Sequence, residues 1–497
     1  MRKIFVVPIF AFAACAGRTL THHDAVVAPS SPKPVVAFAL PEPPKGITTT
    51  MASDPSVADL AQARLVPTTC DAIEKDDADA EIAAMRKAVD ASFKSWVEQQ
   101  QSCSDDSFGS GGLGLGNIGT IGHGAGTGSA RSAREFSTTN NQVASVDEAD
   151  IVKTDGRWVY LASNGALRII EAMNPTVLSV THIAGVAREL FVEGDRAVVY
   201  SSSGDGYARC KYGYDCTFGG DGTTTKISIY DVSDRSSPKL AREIDLSGSL
   251  MAARRVGNAV HTVVADNDAP VPRWHAWPTN LSFCGGTQAV VASKLTMLKA
   301  ENERLIHAAA SRIPTITDGG KTTRMCSGLA RTALRDGDAF TSIVSFDLTN
   351  DRAPVTTATM QSRPGAVFAS EAGLYVSVVH RKSNAKTRWY SYYDDAIDEV
   401  SEIHKFRIGA APSDTKYVGS GTIPGHVLGQ LAMDEWFGYL RVATTKGRVP
   451  DPNVESAISI LAETASGALT RVGAISHIAP GEDIRAVRFD NERGYVV

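Results

Sequence analysis

The strongest constraint on the fold of this chain is a short unit that returns six times between residues 155 and 497. A turn holding Gly, Asn or an acidic residue leads into a β-branched and aromatic strand, first as Asp155-Gly156-Arg157-Trp158-Val159-Tyr160. It recurs as Glu193-Gly194-Asp195-Arg196-Ala197-Val198-Val199-Tyr200, as Gly257-Asn258-Ala259-Val260-His261-Thr262-Val263 and as Glu371-Ala372-Gly373-Leu374-Tyr375-Val376. The last two copies are Asp434-Glu435-Trp436-Phe437-Gly438-Tyr439-Leu440 and Asn491-Glu492-Arg493-Gly494-Tyr495-Val496-Val497. Gly, Asn and Asp suit the tight turns of hairpins, and β-branched and aromatic side chains suit a pleated, packed surface.

Each of the first five copies is followed by a second β-rich run, at residues 166–170, 227–231, 343–347, 403–406 and 457–461, and a third run can be drawn after each. A further run precedes the turn, as at 187–192, 366–369 and 484–489. Four strands per unit, repeated around an axis, define a blade, so the expected fold is an all-β-dominated β-propeller with about six blade starts. An irregular sandwich would not require one turn-strand unit six times. The sixth copy stops inside a strand, and an apolar strand left there would be an open edge. The last blade is therefore expected to be incomplete, with one or two blades of about 40–50 residues missing.

The spacing of the copies is uneven, so the connections must carry insertions. The largest, about 266–339, places Val291, Leu295, Leu298, Leu305, Ile306 and Ala309 on one helical face between Cys284 and Cys326, and reads as a helical subdomain over one rim. Upstream, Ile82, Met85, Val89, Phe93, Trp96 and Val97 fall on one arc of an amphipathic helix within a segment at 52–106 that holds Cys70 and Cys103. A Gly-rich linker follows at 107–135. It lacks the Lys-Ser/Thr ending of a phosphate loop.

The N-terminus has the order of a secretory signal: Met1-Arg2-Lys3, a short apolar run, then Phe12-Ala13-Ala14-Cys15. The run is too short to span a bilayer. The four-residue site resembles a bacterial lipobox, which implies cleavage after residue 14 and a lipid anchor on Cys15. Ala16 after the cysteine points to the outer membrane, and 15–51, rich in Pro, Ala, Ser and Thr, reads as a disordered tether. Six cysteines remain, an even number in an exported chain, which implies disulfides. Fifteen pairings exist. Locality favours Cys70 with Cys103, Cys210 with Cys216 and Cys284 with Cys326.

The stretch Phe136-Ser137-Thr138-Thr139-Asn140-Asn141-Gln142-Val143, with Val146-Asp147-Glu148-Ala149-Asp150-Ile151-Val152-Lys153 after it, resembles the lead-in of bacterial and archaeal secreted proteins with a C-terminal β-propeller distantly related to WD40 repeats. Arg188-Glu189-Leu190-Phe191-Val192, Tyr230-Asp231-Val232-Ser233 and Ile478-Ala479-Pro480-Gly481-Glu482 are similar to that family too. The resemblance covers 136–497. It implies a propeller and an exported location, and supplies no catalytic residues.

The formal net charge of −5 and the lack of a dense Lys/Arg run exclude a nucleic-acid footprint. No G-x-S-x-G, H-E-x-x-H, P-loop or haem-binding motif is present. Asp147, Glu148, Asp150 and Asp155 offer oxygen ligands for a hard cation such as Ca²⁺, although their spacing is not that of an EF-hand. The favoured reading is that they cap turns and accept backbone hydrogen bonds. Trp389, Tyr390, Tyr392 and Tyr393, together with Trp274 and Trp277, form aromatic clusters suited to stacking on a sugar or anchoring a protein, or to packing on the insertion. The expectation is a lipid-anchored binding or scaffold propeller that offers its rim and funnel to a protein or polysaccharide of the bacterial envelope. The alternative is an envelope-polymer hydrolase or lyase using acidic residues in the funnel.

Overall fold

A computed structural model of the chain describes residues 64–99, 141–143, 145–204, 206, 218–267, 273–283, 286–309, 311–334, 337–371, 373–383, 397–449 and 451–497. The signal peptide, Cys15, the tether and the Gly-rich linker lie outside these, as do Cys103, Cys210, Cys216, Cys284 and the run holding Trp389, Tyr390, Tyr392 and Tyr393.

The turn-strand unit is the second strand of a sheet at every occurrence. Blade 1 comprises Val152–Thr154, Trp158–Ser163, Ala166–Glu171 and Val177–His182; blade 2, Val186–Glu193, Arg196–Ser202, Thr225–Asp231 and Lys239–Leu246. Blade 3 comprises Ser249–Val256, Ala259–Asp266, Phe340–Asp347 and Thr356–Gln361; blade 4, Ala366–Ala369, Gly373–Ser383, Ile397–Arg407 and Lys416–Pro424. Blade 5 is built from His426–Val427 and Met433–Trp436, both paired with Tyr439–Lys446, then Glu455–Glu463 and Leu469–Ile478. Val487–Asp490 and Arg493–Val496 pair as a two-stranded sheet, the sixth in chain order.

The sheets pack face to face, and alternate residues of one strand enter different cores. Leu190 and Val199 join Tyr160 and Leu167 between blades 1 and 2, while their neighbours Phe191 and Tyr200 join Val260 and Phe346 between blades 2 and 3. Val263 and Ile343 meet Leu374 and Phe406 between blades 3 and 4, and Tyr375 and Ile403 meet Val442 and Leu461 between blades 4 and 5. Burial on both faces is why the strands read as near-continuous apolar runs such as Val198-Val199-Tyr200. Sheets stacked this way in chain order are the architecture of a β-propeller.

Close backbone approach fixes one seam sharply. On the outer strand of blade 4, a Cβ added at Gly419 or Gly421 would lie 2.1 Å from the Gly467 carbonyl oxygen or 2.2 Å from that of Leu469, both in blade 5. Gly421→Ala is expected to cost about 1–3 kcal/mol through overpacking, read as a lower urea midpoint at unchanged slope.

The insertion between the second and third strands of blade 3 does more than form a helix. Its helix α2 (Gln288–His307) starts at Thr287, whose side chain accepts from the Val290 amide. The hairpin Thr315–Asp318 and Lys321–Arg324 then extends the outer edge of blade 2, and Ala330–Thr332 runs parallel to the last strand of blade 3. Leu65–Pro67 pairs with that added strand. Helix α1 (Cys70–Gln99) lies antiparallel to α2, since Arg86 pairs with Glu303 and Asp90 with Lys299. Met85, Val89 and Trp96 meet Val291, Leu295 and Ile306 in a separate core. Three residues depart from the expected helical faces: Val97 and Ala309 are exposed, and so is Leu305, at 42%. Asn302 is buried in its place and bonds the backbone of His275.

Two disulfide expectations are corrected. Cys70 is bonded to Cys326, with their Cα atoms 5.6 Å apart, so neither the pairing of Cys70 with Cys103 nor that of Cys284 with Cys326 holds. Nearness in sequence misled because residues 65–70 lie along the insertion: Leu65 pairs with Thr332, and the Thr68 amide donates to the Leu329 carbonyl.

Candidate functional site

The segment leading into blade 1 runs along the inner ends of the other blades in reverse order. Gln142 donates to the carbonyls of Gln430 and Met433 in blade 5. Val143 packs against the cores on both sides of blade 4, and Val146 is buried between blades 3 and 4. Asp147 and Glu148 then form a strand on the free inner edge of blade 3, pairing with Arg255 and Arg254. Asp150 bridges to Leu190 on the first strand of blade 2. The first strand of a blade lies nearest the axis, so this segment occupies the central channel.

Its carboxylates are committed to cations and amides. Asp147 receives the buried Lys153 ammonium at 2.6 Å and Arg255 at 3.2 Å. Glu148 accepts from the Gln142 amide at 3.3 Å and from Gln430 Nε2 at 3.4 Å, with Arg254 at 3.7 Å. Asp150 accepts from the Ile151 amide, and Asp155 caps its turn by accepting from the amides of Arg157 and Trp158. The Tyr160 hydroxyl also donates to Asp155, at 2.9 Å; its burial pushes the phenol up to about 12, so it stays protonated and able to donate. The four candidate Ca²⁺ ligands thus face four different sets of partners. No three His, Cys, Asp or Glu side chains among the described residues converge as a metal site would require.

Beside the crossing lies a cavity of about 100 Å³ lined by Glu148, Glu189, Arg254, Gln430, Met251 and Val367, among others. Sequence reasoning found the acidic members of this centre and missed Lys153, Arg254, Arg255 and Gln430. No local signal exists for them: Arg254 and Gln430 are 176 positions apart and meet only through the fold.

The aromatic pair of the insertion is placed differently from an open stacking platform. Trp274 and Trp277 are half-buried against the helical core, where Trp274 Nε1 donates to Glu81 and Trp277 Nε1 to the Leu281 carbonyl. The connections between second and third strands are long in blades 2 to 5. Because successive blades run in the same sense, their second strands end toward one side, the side that also carries α1 and α2.

Face-packed, mostly four-stranded sheets in chain order, with the lead-in strand laid along their inner edges, are the architecture of a β-propeller, a class that supports a binding or scaffold role in general terms. Residues 136–497 match the family described as "Beta propeller domain", and the chain belongs to that family. An uncharacterized protein of Methanocaldococcus jannaschii is 25% identical over 396 residues, which cover 73% of this chain and 58% of that one. One of Archaeoglobus fulgidus is 23% identical over 397 residues, covering 73% and 59%. The chain therefore spans less than two thirds of the length of these relatives. Among solved structures, a complex of KlAtg21 with the coiled coil of AgAtg16 aligns with a TM-score of 0.24 and 10% identity, over 65% of this chain and 82% of that one. A mutant Synechocystis apocarotenoid oxygenase aligns with a TM-score of 0.25 and 8% identity, over 69% and 64%.

Proposed function

We propose that this protein is a non-catalytic binding or scaffold propeller of the bacterial envelope, held to the membrane by a lipid on Cys15. It takes a protein or polysaccharide partner on the end where the second strands finish, which carries the helices. The observation that carries this reading is the filled channel. A propeller that acts on a polymer from its funnel needs acids free to reach the substrate, and here Asp147 and Glu148 are held by Lys153, Arg255, Arg254 and Gln430. The remaining recognition surface is the rim.

Met297, 70% exposed on α2, and Phe437, 52% exposed at a turn between first and second strands, stand on opposite ends. A photo-crosslinking residue at Met297 in cells is expected to give a discrete adduct, and the same residue at Phe437 none. Adducts from Phe437 alone, or from neither, would overturn the assignment of the rim. Cys15→Ser is expected to release the protein from the membrane fraction; retention there would sink the anchor.

A further inference from the structure

Four histidines among the described residues are fully or almost fully buried: His261, His380, His404 and His426, exposed by 0, 6, 0 and 3%. All four sit where blade 4 meets a neighbour. His261 on one seam and His426 on the other are held in different ways: the first bonds neutral groups only, the second a carboxylate.

On the seam with blade 3, the imidazoles are held mainly by neutral groups or share one carboxylate. His261 Nε2 lies 3.0 Å from the Gly409 carbonyl and must donate to it, which leaves Nδ1 to accept from Ser345 Oγ at 2.8 Å. Thr415 Oγ1 completes the contact, 3.3 Å from Nδ1 and 2.7 Å from Ser345 Oγ. Asp414 is the charged group on this side, near enough to favour the cation without bonding to it; burial dominates and lowers His261 to about 4. His404 Nδ1 bonds Ser420 Oγ at 2.7 Å, and Ser420 in turn bonds the Tyr417 phenol. Its Nε2 is 3.7 Å from Glu402. That carboxylate is already engaged by His380 at 3.1 Å and by Thr332, from the strand added to blade 3, at 3.2 Å. Burial pushes His404 down despite Glu402. Burial alone would raise Glu402, but His404 and His380 hold it below the usual carboxylate range. On the seam with blade 5, His426 Nδ1 meets Glu399 directly at 2.5 Å.

We propose that the seam between blades 3 and 4 is an acid-labile joint, which loosens on acidification while the seam between blades 4 and 5 holds. A buried imidazolium without a bonded carboxylate is costly, and an adjacent carboxylate offsets part of that cost. The closed joint therefore binds fewer protons than the open one. Its closure is strongest above the ordinary histidine value of 6.5 and is lost progressively as the pH falls toward the folded value of about 4. For His261 alone, the ratio of open to closed joint rises about thirty-fold by about pH 5.

The test is backbone hydrogen exchange of the full chain at about pH 7.5 and about pH 5, corrected for intrinsic rates. Peptides spanning 408–417 and 328–334, on the first seam, are expected to lose protection about thirty-fold relative to 426–433, on the second. His261→Gln and His404→Gln should each blunt the loss, while His426→Gln should not. Equal loss on both seams, no loss on either, or an unchanged response in both of the first two variants would overturn the proposal. Should those variants fail to fold, the comparison of the two seams in the natural chain decides it.

Discussion

Serine at both Cys70 and Cys326 is expected to lower stability by about 2–5 kcal/mol and to uncouple the helical pair from the blades. The bond closes a loop across a sequence separation of 256 residues, so its removal restores a large amount of freedom to the unfolded chain. Beyond the short pairing of Leu65–Pro67 with Ala330–Thr332 and the Thr68 amide bond to Leu329, what remains to hold the start of α1 is weak. Glu74 meets Arg324 at 3.0 Å and Asp76 meets Arg331 at 3.0 Å, but each pair has a partner more than a third exposed. Such pairs contribute about 0–1 kcal/mol. The apolar contribution there is a small cluster in which Cys70 itself packs with Ile73, Ile313, Leu329 and Phe340. Fluorescence of Trp96, buried between the helices, is expected to change at a lower urea concentration than the far-ultraviolet signal of the strands. Coincident transitions at the midpoint of the natural chain would show that the bond is not what secures the pair.

The repeat made the blades legible because its signal is local. Turn residues and a β-rich run are read within eight positions, and every such run became a second strand. The insertion was legible only in part. The period of Val291, Leu295 and Ile306 predicts α2, but the strands Thr315–Asp318 and Ala330–Thr332 owe their place to free edges on blades 2 and 3, which no window of sequence displays. The disulfide failed for the same reason, since Cys326 is brought to Cys70 by a strand pairing between Leu65 and Thr332. At the centre, the acidic run was visible as Asp147, Glu148 and Asp150, while its partners came from three other blades. Charge without visible partners leaves a metal site open beside the favoured turn-capping reading and gives no sign of the ion pairs with Lys153, Arg254 and Arg255. Only the fold shows them.

That network sets the second large effect. Lys153→Met is expected to destabilise the protein by about 3 kcal/mol, the low end of the range for breaking a buried ion pair. The Lys153 side chain is only 5% exposed, and its ammonium contacts Asp147 at 2.6 Å and the Glu148 carbonyl at 2.5 Å, with the face of Phe191 at 5.7 Å. Methionine keeps much of the volume, so packing against Phe191 changes little. The loss is electrostatic: Asp147 keeps Arg255 but loses its closer cation, and a carbonyl on the crossing strand loses its donor. Asp147→Asn in the same chain removes the carboxylate left short of charge, so the double variant is expected to recover part of the loss. Full additivity of the two changes in urea unfolding would show that Lys153 and Asp147 do not act as a pair. A cost below about 1 kcal/mol for Lys153→Met would mean that the crossing is held by its backbone pairing with blades 2 and 3 instead. The filled channel, and the rim-binding reading built on it, would then rest on two short strand contacts and not on buried charge.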